Sequence, residues 1–333
     1  MGMTTAVTGT HLTRSELWSQ QLKDIFQDEL DAQKWVNWMS EFPDGSQFTI
    51  PSIGEASVQQ IVEDTNVTYE ALDTGEFTFA ITEYDGSAHY ITRKALQDSF
   101  YAQKVLASFV PAQRRALMEK LESDILKVPS PTNSQGAGGQ TILSSTTDAN
   151  AINGYRHRYA GGGTGGVMSL ADFAYAKLSL KKANVPLSNL VAIVDPTVGY
   201  ELETATNLVN VSNNPQWGGI IETGMTTGMR FIRNVFGFDC YESNYLDTTV
   251  DHASAGGDKS GSAVGITTQA QNLLFSAAGG DANPIMGAWR QMPIVDSEFN
   301  KDKQREEYLT TARYGLKLYR PENMVCILTE TTL

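Results

Sequence analysis

The sequence predicts an α+β fold of about two structural units, and three observations carry that prediction. Of 333 residues, 41% are hydrophobic and 19% charged, with 29 Gly and 13 Tyr, a globular composition that leans towards strands and loops. Helical spacing of apolar residues is confined to a few stretches, most clearly Leu117, Leu121, Ile125 and Val128. Short alternating or wholly apolar runs, such as Phe77, Phe79 and Ile81, Leu190–Val194 and Met324–Leu328, are separated by Gly-rich loops, as in a domain with a small mixed sheet. The length suits about two units at roughly 150 residues each. No apolar run approaches the roughly 18–20 residues of a membrane span, and residues 1–13 lack the basic and apolar regions of a secretion signal. A soluble, unexported chain is expected. Two distant cysteines, Cys240 and Cys326, indicate neither a zinc site nor a disulfide framework.

The elements follow in order. Thr13-x-x-Glu16 has the form of a capping box, and Leu22, Ile25, Phe26 and Leu30 extend it as one helix face, ending in the aromatic group Trp35, Val36, Trp38 and Met39 before a Phe42–Gly45 turn. Val67, Tyr69 and Ala71, then Phe77, Phe79 and Ile81, alternate with polar residues around Leu72–Glu76, which predicts a long two-stranded hairpin. A helical stretch begins near Ala95, and Pro111 is expected to break or kink it. Residues 128–166 turn to Pro, Ser, Thr, Asn and Gly and are expected to form a flexible connection or an extended loop. Ser169-x-x-Asp172 caps a helix carrying Leu170, Phe173, Ala174 and Leu178 that stops near Asn184. Leu190–Val194 is apolar on both faces and predicts a strand buried on both. Further strands are expected at Met229–Ile232, Gly237–Tyr241, Ala263–Ile266, Leu273–Phe275 and Met324–Leu328, with Tyr314, Leu316 and Leu318 alternating after a charged stretch at 300–307.

Charge divides the chain sharply. The net charge is -13, which disfavours binding nucleic acid through its phosphates, since that needs a basic stripe. Residues 35–92 hold ten acids and no Lys or Arg, whereas residues 93–128 hold seven bases against four acids. An isolated all-acidic hairpin is marginal in water, and a solvated edge gives no reason for its row of aromatic residues. The acidic stretch therefore reads as a partner-binding arm, with Tyr69, Glu70, Asp73, Glu76, Phe77, Phe79 and Ile81 as its contact residues.

Chemistry-bearing motifs are sparse. Gly161-x-Gly163-x-x-Gly166 matches a dinucleotide fingerprint literally, but Tyr155–Tyr159 is not the hydrophobic strand that such a loop requires before it. Asp258-Lys259-Ser260 has an acid where a phosphate loop needs Gly, and Asp251–Gly256 has Ala where a calcium loop needs oxygen ligands. His11, His89, His157 and His252 stand singly. Catalytic residues, cofactors and metals are accordingly expected to be absent.

Taken together, the order of parts resembles the major capsid protein of tailed bacteriophages. The residues that carry the resemblance are Phe48–Pro51 through Ile81–Tyr84, the helix ending at Ile125-Leu126, Leu190–Pro196, and Gly228–Phe238. The resemblance implies an N-terminal arm over 1–42, an extended β-hairpin loop (E-loop) over 43–94, and a peripheral domain with a long spine helix and Gly-rich connection over 95–166. An axial domain with a central mixed sheet would cover 167–290, and 291–333 would return to the peripheral domain. It further implies self-assembly as hexamers and pentamers of an icosahedral head shell that encloses double-stranded DNA without reading its sequence. The acidic loop would lie over a neighbouring copy, with Arg93, Lys94, Arg114 and Arg115 of the spine region as candidate receivers. One branch of the family links a loop Lys covalently to a neighbour's Asn, a step the Lys-free stretch 35–92 does not provide for. A separate scaffolding protein, a portal and a decoration protein are the implied partners, and the virion, assembled in the host bacterial cytoplasm, the implied location. Two competing readings are a nucleotide-binding α/β enzyme built on Gly161–Gly166 and a surface-layer or filament protein.

Overall fold

Leu117, Leu121, Ile125 and Val128 are all buried, so the i, i+4, i+8, i+11 stripe does mark the inner face of a helix, Ala102–Lys127. Around it the computed structural model describes residues 30–39, 47–53, 58–64, 66, 69, 74–98, 102–130, 154–204, 231–250 and 256–331. The helix predicted after Thr13, the Phe42–Gly45 turn and most of the 128–166 connection lie outside them. Pro111 does not end the helix, which runs through it without interruption. The proline sits on the exposed side, where water can replace the one backbone bond it removes.

In chain order the helices are Arg93–Asp98 (α1), Ala102–Lys127 (α2), Leu170–Lys182 (α3) and Pro196–Thr204 (α4). The strands are Val36–Met39 (β1), Gln47–Ile53 (β2), Thr74–Ala80 (β3), Glu83–Thr92 (β4), Arg158–Ala160 (β5), Leu190–Val194 (β6), Phe231–Val235 (β7), Phe238–Glu242 (β8), Gln269–Ser276 (β9), Ile285–Asn300 (β10), Arg305–Leu318 (β11) and Met324–Glu330 (β12). They form a six-stranded mixed sheet in the order β5-β12-β9-β6-β8-β7, a four-stranded sheet in the order β1-β10-β11-β4, and the antiparallel pair β2-β3. Ala263–Ile266, expected as a strand, has no strand geometry.

Leu190–Val194 is buried at every position, and its alternation explains why. Val191 and Ile193 join one core, with α2, Phe275, Met324 and Leu316, while Leu190, Ala192 and Val194 join a second, with α3, α4, Phe238 and Ile327. Helices thus cover both faces of the six-stranded sheet, and a strand in that position must be apolar throughout. On α3 the buried stripe is Phe173, Ala176 and Leu180; Ala174 and Leu178, expected inside, are exposed. The helix ends before Asn184, whose φ of 58° takes the left-handed turn that closes helices. The six-stranded sheet takes β5 and β12 from either side of residues 167–290, and α2 packs against both larger sheets. Glu122 of α2 also accepts hydrogen bonds from the N–H groups of Asp31 and Ala32 at 3.1 and 2.9 Å, which ties the residues before β1 to α2.

The hairpin is present but its first strand is not the expected one. Thr74–Ala80 pairs with Gln47–Ile53, with Phe48 opposite Phe79 and Ile50 opposite Phe77. Apolar residues directly opposed across an antiparallel pair stabilise that register. Of Val67, Tyr69 and Ala71 only Tyr69 is described, and it belongs to no strand.

Candidate subunit interface

The residues expected to adhere to a neighbour divide into three groups. Phe77, Phe79 and Ile81 are buried in the chain's own fold, in a cluster with Met286 and Ala288 of β10. This corrects the expectation that their rings are the adhesive surface. The base of the hairpin lies on the molecule's own sheet, and Lys317 fastens it there. Its Nζ donates to the Thr78 carbonyl at 2.6 Å and stands 4.8 Å from the centre of the Phe77 ring. Burial lowers the pKa of that ammonium group.

Tyr69 and Glu76, by contrast, are exposed, while Glu70 and Asp73 lie outside the described residues. Tyr69 has company that the sequence reading missed. Val58, Ile61 and Val62, between the two hairpin strands, are 99%, 71% and 58% exposed, and Tyr69 93%. Three aliphatic residues in a stretch with Glu63 and Asp64 but no base were the available signal, hidden because their i, i+3, i+4 spacing is not continued on either side and the segment forms no helix.

The basic residues form the third group. Arg93, Lys94 and Arg114 are exposed, whereas Arg115 is half-buried. Arg115 pairs with Glu119 one helical turn on, at 3.0 Å, and Arg93 stands 5.9 Å from the centre of the Phe299 ring. Arg114 and Arg115 lie on α2, while Arg93 and Lys94 lie at the end of the β4-β11-β10 ribbon.

That ribbon is the largest feature absent from the sequence reading. β10 and β11 pair antiparallel from Ile285 opposite Leu318 to Asn300 opposite Arg305, and β4 joins them from Glu83 to Thr92. Beyond the core it exposes Tyr84, Tyr90, Met292, Ile294, Val295, Phe299 and Leu309. Tyr314 holds the ribbon to the spine helix. Its hydroxyl lies 2.6 Å from an Asp124 carboxylate oxygen and 2.8 Å from one of Asp85, and burial, then the two carboxylates, raise its pKa far above the ordinary phenol value. Glu83, Asp85 and Asp124 bring three carboxylates close enough to share a cation. Their charge is met within the chain by the Tyr314 hydroxyl and by Lys120, which pairs with Asp124.

The Gly161–Gly166 loop is packed closely and is not a nucleotide cradle. A side chain at Gly161 or Gly163 would come within 2.7 or 2.6 Å of the Val167 carbonyl oxygen, so the glycines are needed for close backbone packing. A short buried strand, β5, does precede the loop. The α3 N-terminus, where a phosphate would sit, is occupied by the chain's own Asp172, which is fully buried. One oxygen of that carboxylate accepts from Gly162 N–H, Ser169 N–H and Ser169 Oγ–H at 2.7–2.9 Å, and the other accepts from Lys259 at 2.6 Å. A carboxylate already seated there repels a second anion. The capping role expected of Ser169 and Asp172 is therefore what this loop serves.

No curated protein matches the sequence. Among solved structures 195 chains match. A capsid chain of cyanophage P-SCSP1u is 14% identical with a TM-score of 0.67, over 99% of this chain and 96% of that one. A capsid chain of Ralstonia phage GP4 is 11% identical with a TM-score of 0.64, covering 99% of each. A chain from Mycobacterium phage Che8 is 16% identical with a TM-score of 0.61, over 95% of this chain and 97% of that one. At these identities the likeness is one of fold, and the fold is that of tailed-phage capsid subunits. A family model described as phage capsid protein matches residues 74–327, from the second strand of the hairpin to the last strand of the six-stranded sheet. The chain therefore belongs to the phage capsid protein family, and its role is that of a structural subunit of a virion shell.

Proposed function

We propose that the chain builds an icosahedral head as hexamers and pentamers around double-stranded DNA, and that the distal part of its extended loop lies over a neighbouring copy. The observation that carries this reading is the exposure of Val58, Ile61, Val62 and Tyr69 at the far end of a hairpin whose base is locked to its own sheet. An apolar group of this kind, rimmed by Glu63 and Asp64, marks a surface for a partner. The base-rich spine region offers the opposite charge. Arg93, Lys94 and Arg114 are its exposed bases, and Arg115 is the least available because it already pairs with Glu119.

Energetics favour rings and aliphatics for adhesion and charge for register. An exposed ion pair contributes about 0–1 kcal/mol, whereas apolar burial contributes about 25 cal/mol per Å². Weak contacts repeated around each subunit let misplaced copies dissociate, while their sum holds the closed shell. The division into arm (1–42), loop (43–94), peripheral domain (95–166 and 291–333) and axial domain (167–290) belongs to the same proposal. So do a scaffolding protein, a portal, a decoration protein and assembly in the host cytoplasm. The role requires no catalytic step.

Negative-stain microscopy of the expressed full chain, alongside sedimentation, tests the reading. Closed shells of uniform size are expected. Sheets or filaments would favour a surface-layer protein, since contacts that do not close give unbounded arrays, and a chain that stays single at high concentration would overturn self-assembly.

A further inference from the structure

β4 is the last strand of its sheet. It pairs with β11 on one side, and among the described residues no strand runs along the other. Its 10 residues include neither Pro nor Lys, and its pairing with β11 continues from Glu83 to Thr92 without a register shift. Proteins ordinarily blunt such edges with prolines, lysines or bulges, because the unpaired backbone N–H and C=O groups are a template for another strand. Tyr84, Gly86, Ala88 and Tyr90 alternate on the exposed face. Among the described residues this edge is long and regular, with charged side chains only at Glu83 and Asp85.

Its own sequence identifies the strand that fits. When two copies of one strand pair antiparallel about a two-fold axis perpendicular to the sheet, opposed residues must share a face, so the axis passes through a residue. With the axis at Ala88, Gly86 stands opposite the second copy's Tyr90 and Tyr84 opposite its Thr92, and each pairing occurs twice. A ring beside an edge glycine covers backbone that has no side chain of its own. Moving the axis to Ser87 would instead set Glu83 against Ile91 and Asp85 against His89, although the Asp85 carboxylate is already held by Tyr314.

We propose that β4 is a self-complementary edge through which two copies of this chain join, antiparallel and centred on Ala88, so that their four-stranded sheets become continuous. The inference rests on the reading that copies assemble, and names a contact between them separate from the one made by the loop's far end.

The test uses particles assembled from the full chain. Both native cysteines are buried, so Ala88→Cys places one accessible thiol at the axis. Directly opposed residues have Cα atoms about 4.5–5.5 Å apart, within reach of a short bismaleimide. Covalent dimers are expected from Ala88→Cys and not from Thr82→Cys, whose two copies would sit at opposite ends of the paired strands. Independently of that thiol, Ala88→Lys and Ala88→Glu each set like charges against each other at the axis, and each alone should lower particle yield by about tenfold. Mixed together, the two variants set opposite charges at the axis and should recover the yield. Particles that form while Ala88→Cys cross-links no better than Thr82→Cys, or a mixture no better than either variant alone, would overturn the inference and leave the shell reading intact. A wild-type chain that never assembles would overturn the shell reading and the inference together.

Discussion

Phe79 is fully buried, and with Phe77 and Ile81 it fills the space between the hairpin and Met286 and Ala288. Truncating such a ring removes its transfer free energy and leaves a cavity, a loss of about 3–5 kcal/mol. Phe79→Ala should therefore lower the denaturation midpoint of the isolated chain, and an unchanged midpoint would mean the ring is not a core residue. His157 gives a second expectation. Its side chain is wholly buried and its Nε2 has no hydrogen-bond partner, so burial lowers its pKa. The unfolded chain takes up this proton below about pH 6.5, while the folded chain does so only at lower pH. Below pH 6.5 the unfolded state thus binds more protons, and the contribution of His157 to stability, complete above that value, is lost as pH falls towards the folded pKa. Denaturant titrations from pH 7.5 to 5 should show the decline, and His157→Phe should make it shallower.

At the scale of elements, the hairpin has two parts with different work. Its base is joined to the chain by Lys317 and the Phe77 cluster, and its far segment presents Ile61 and Val62 to solvent. Replacing both by Asp should leave the melting temperature within a degree or two, because exposed substitutions seldom change stability by more than about 0.5 kcal/mol, yet reduce particle yield severalfold. Equal loss of folding and assembly would place that segment inside its own subunit. The same two-part character explains what was legible beforehand. Thr74–Ala80 announces itself by strict alternation, whereas its partner Gln47–Ile53 contains a proline, its Phe48 is exposed and its Ile50 only half-buried. β10 was hidden for a related reason. Only its first four residues are buried in succession, a half-buried/exposed alternation follows as far as Ile294, and Ile294–Phe299 are exposed throughout, so no single period runs through it.

For the whole molecule, charge sets what the shell can do with its contents. A net charge of -13 leaves little basic surface to neutralise phosphates, so the purified chain should bind duplex DNA weakly and without the steep salt dependence of a phosphate-binding protein. Tight binding that collapses between 50 and 200 mM salt would count against a wall that leaves its DNA free. By itself the sequence determined the α+β class, the inner face of the spine helix, the doubly buried strand Leu190–Val194 and the acidic stretch followed by a basic one. Those features are local, written in periods of 2 and 3.6 residues and in runs of one charge. Only the tertiary structure decided that Phe77 and Phe79 turn inward and that, among the described residues, β4 is left with an open edge. Each of these depends on which distant segment arrives alongside, and contacts across some two hundred residues leave no periodic trace in either partner.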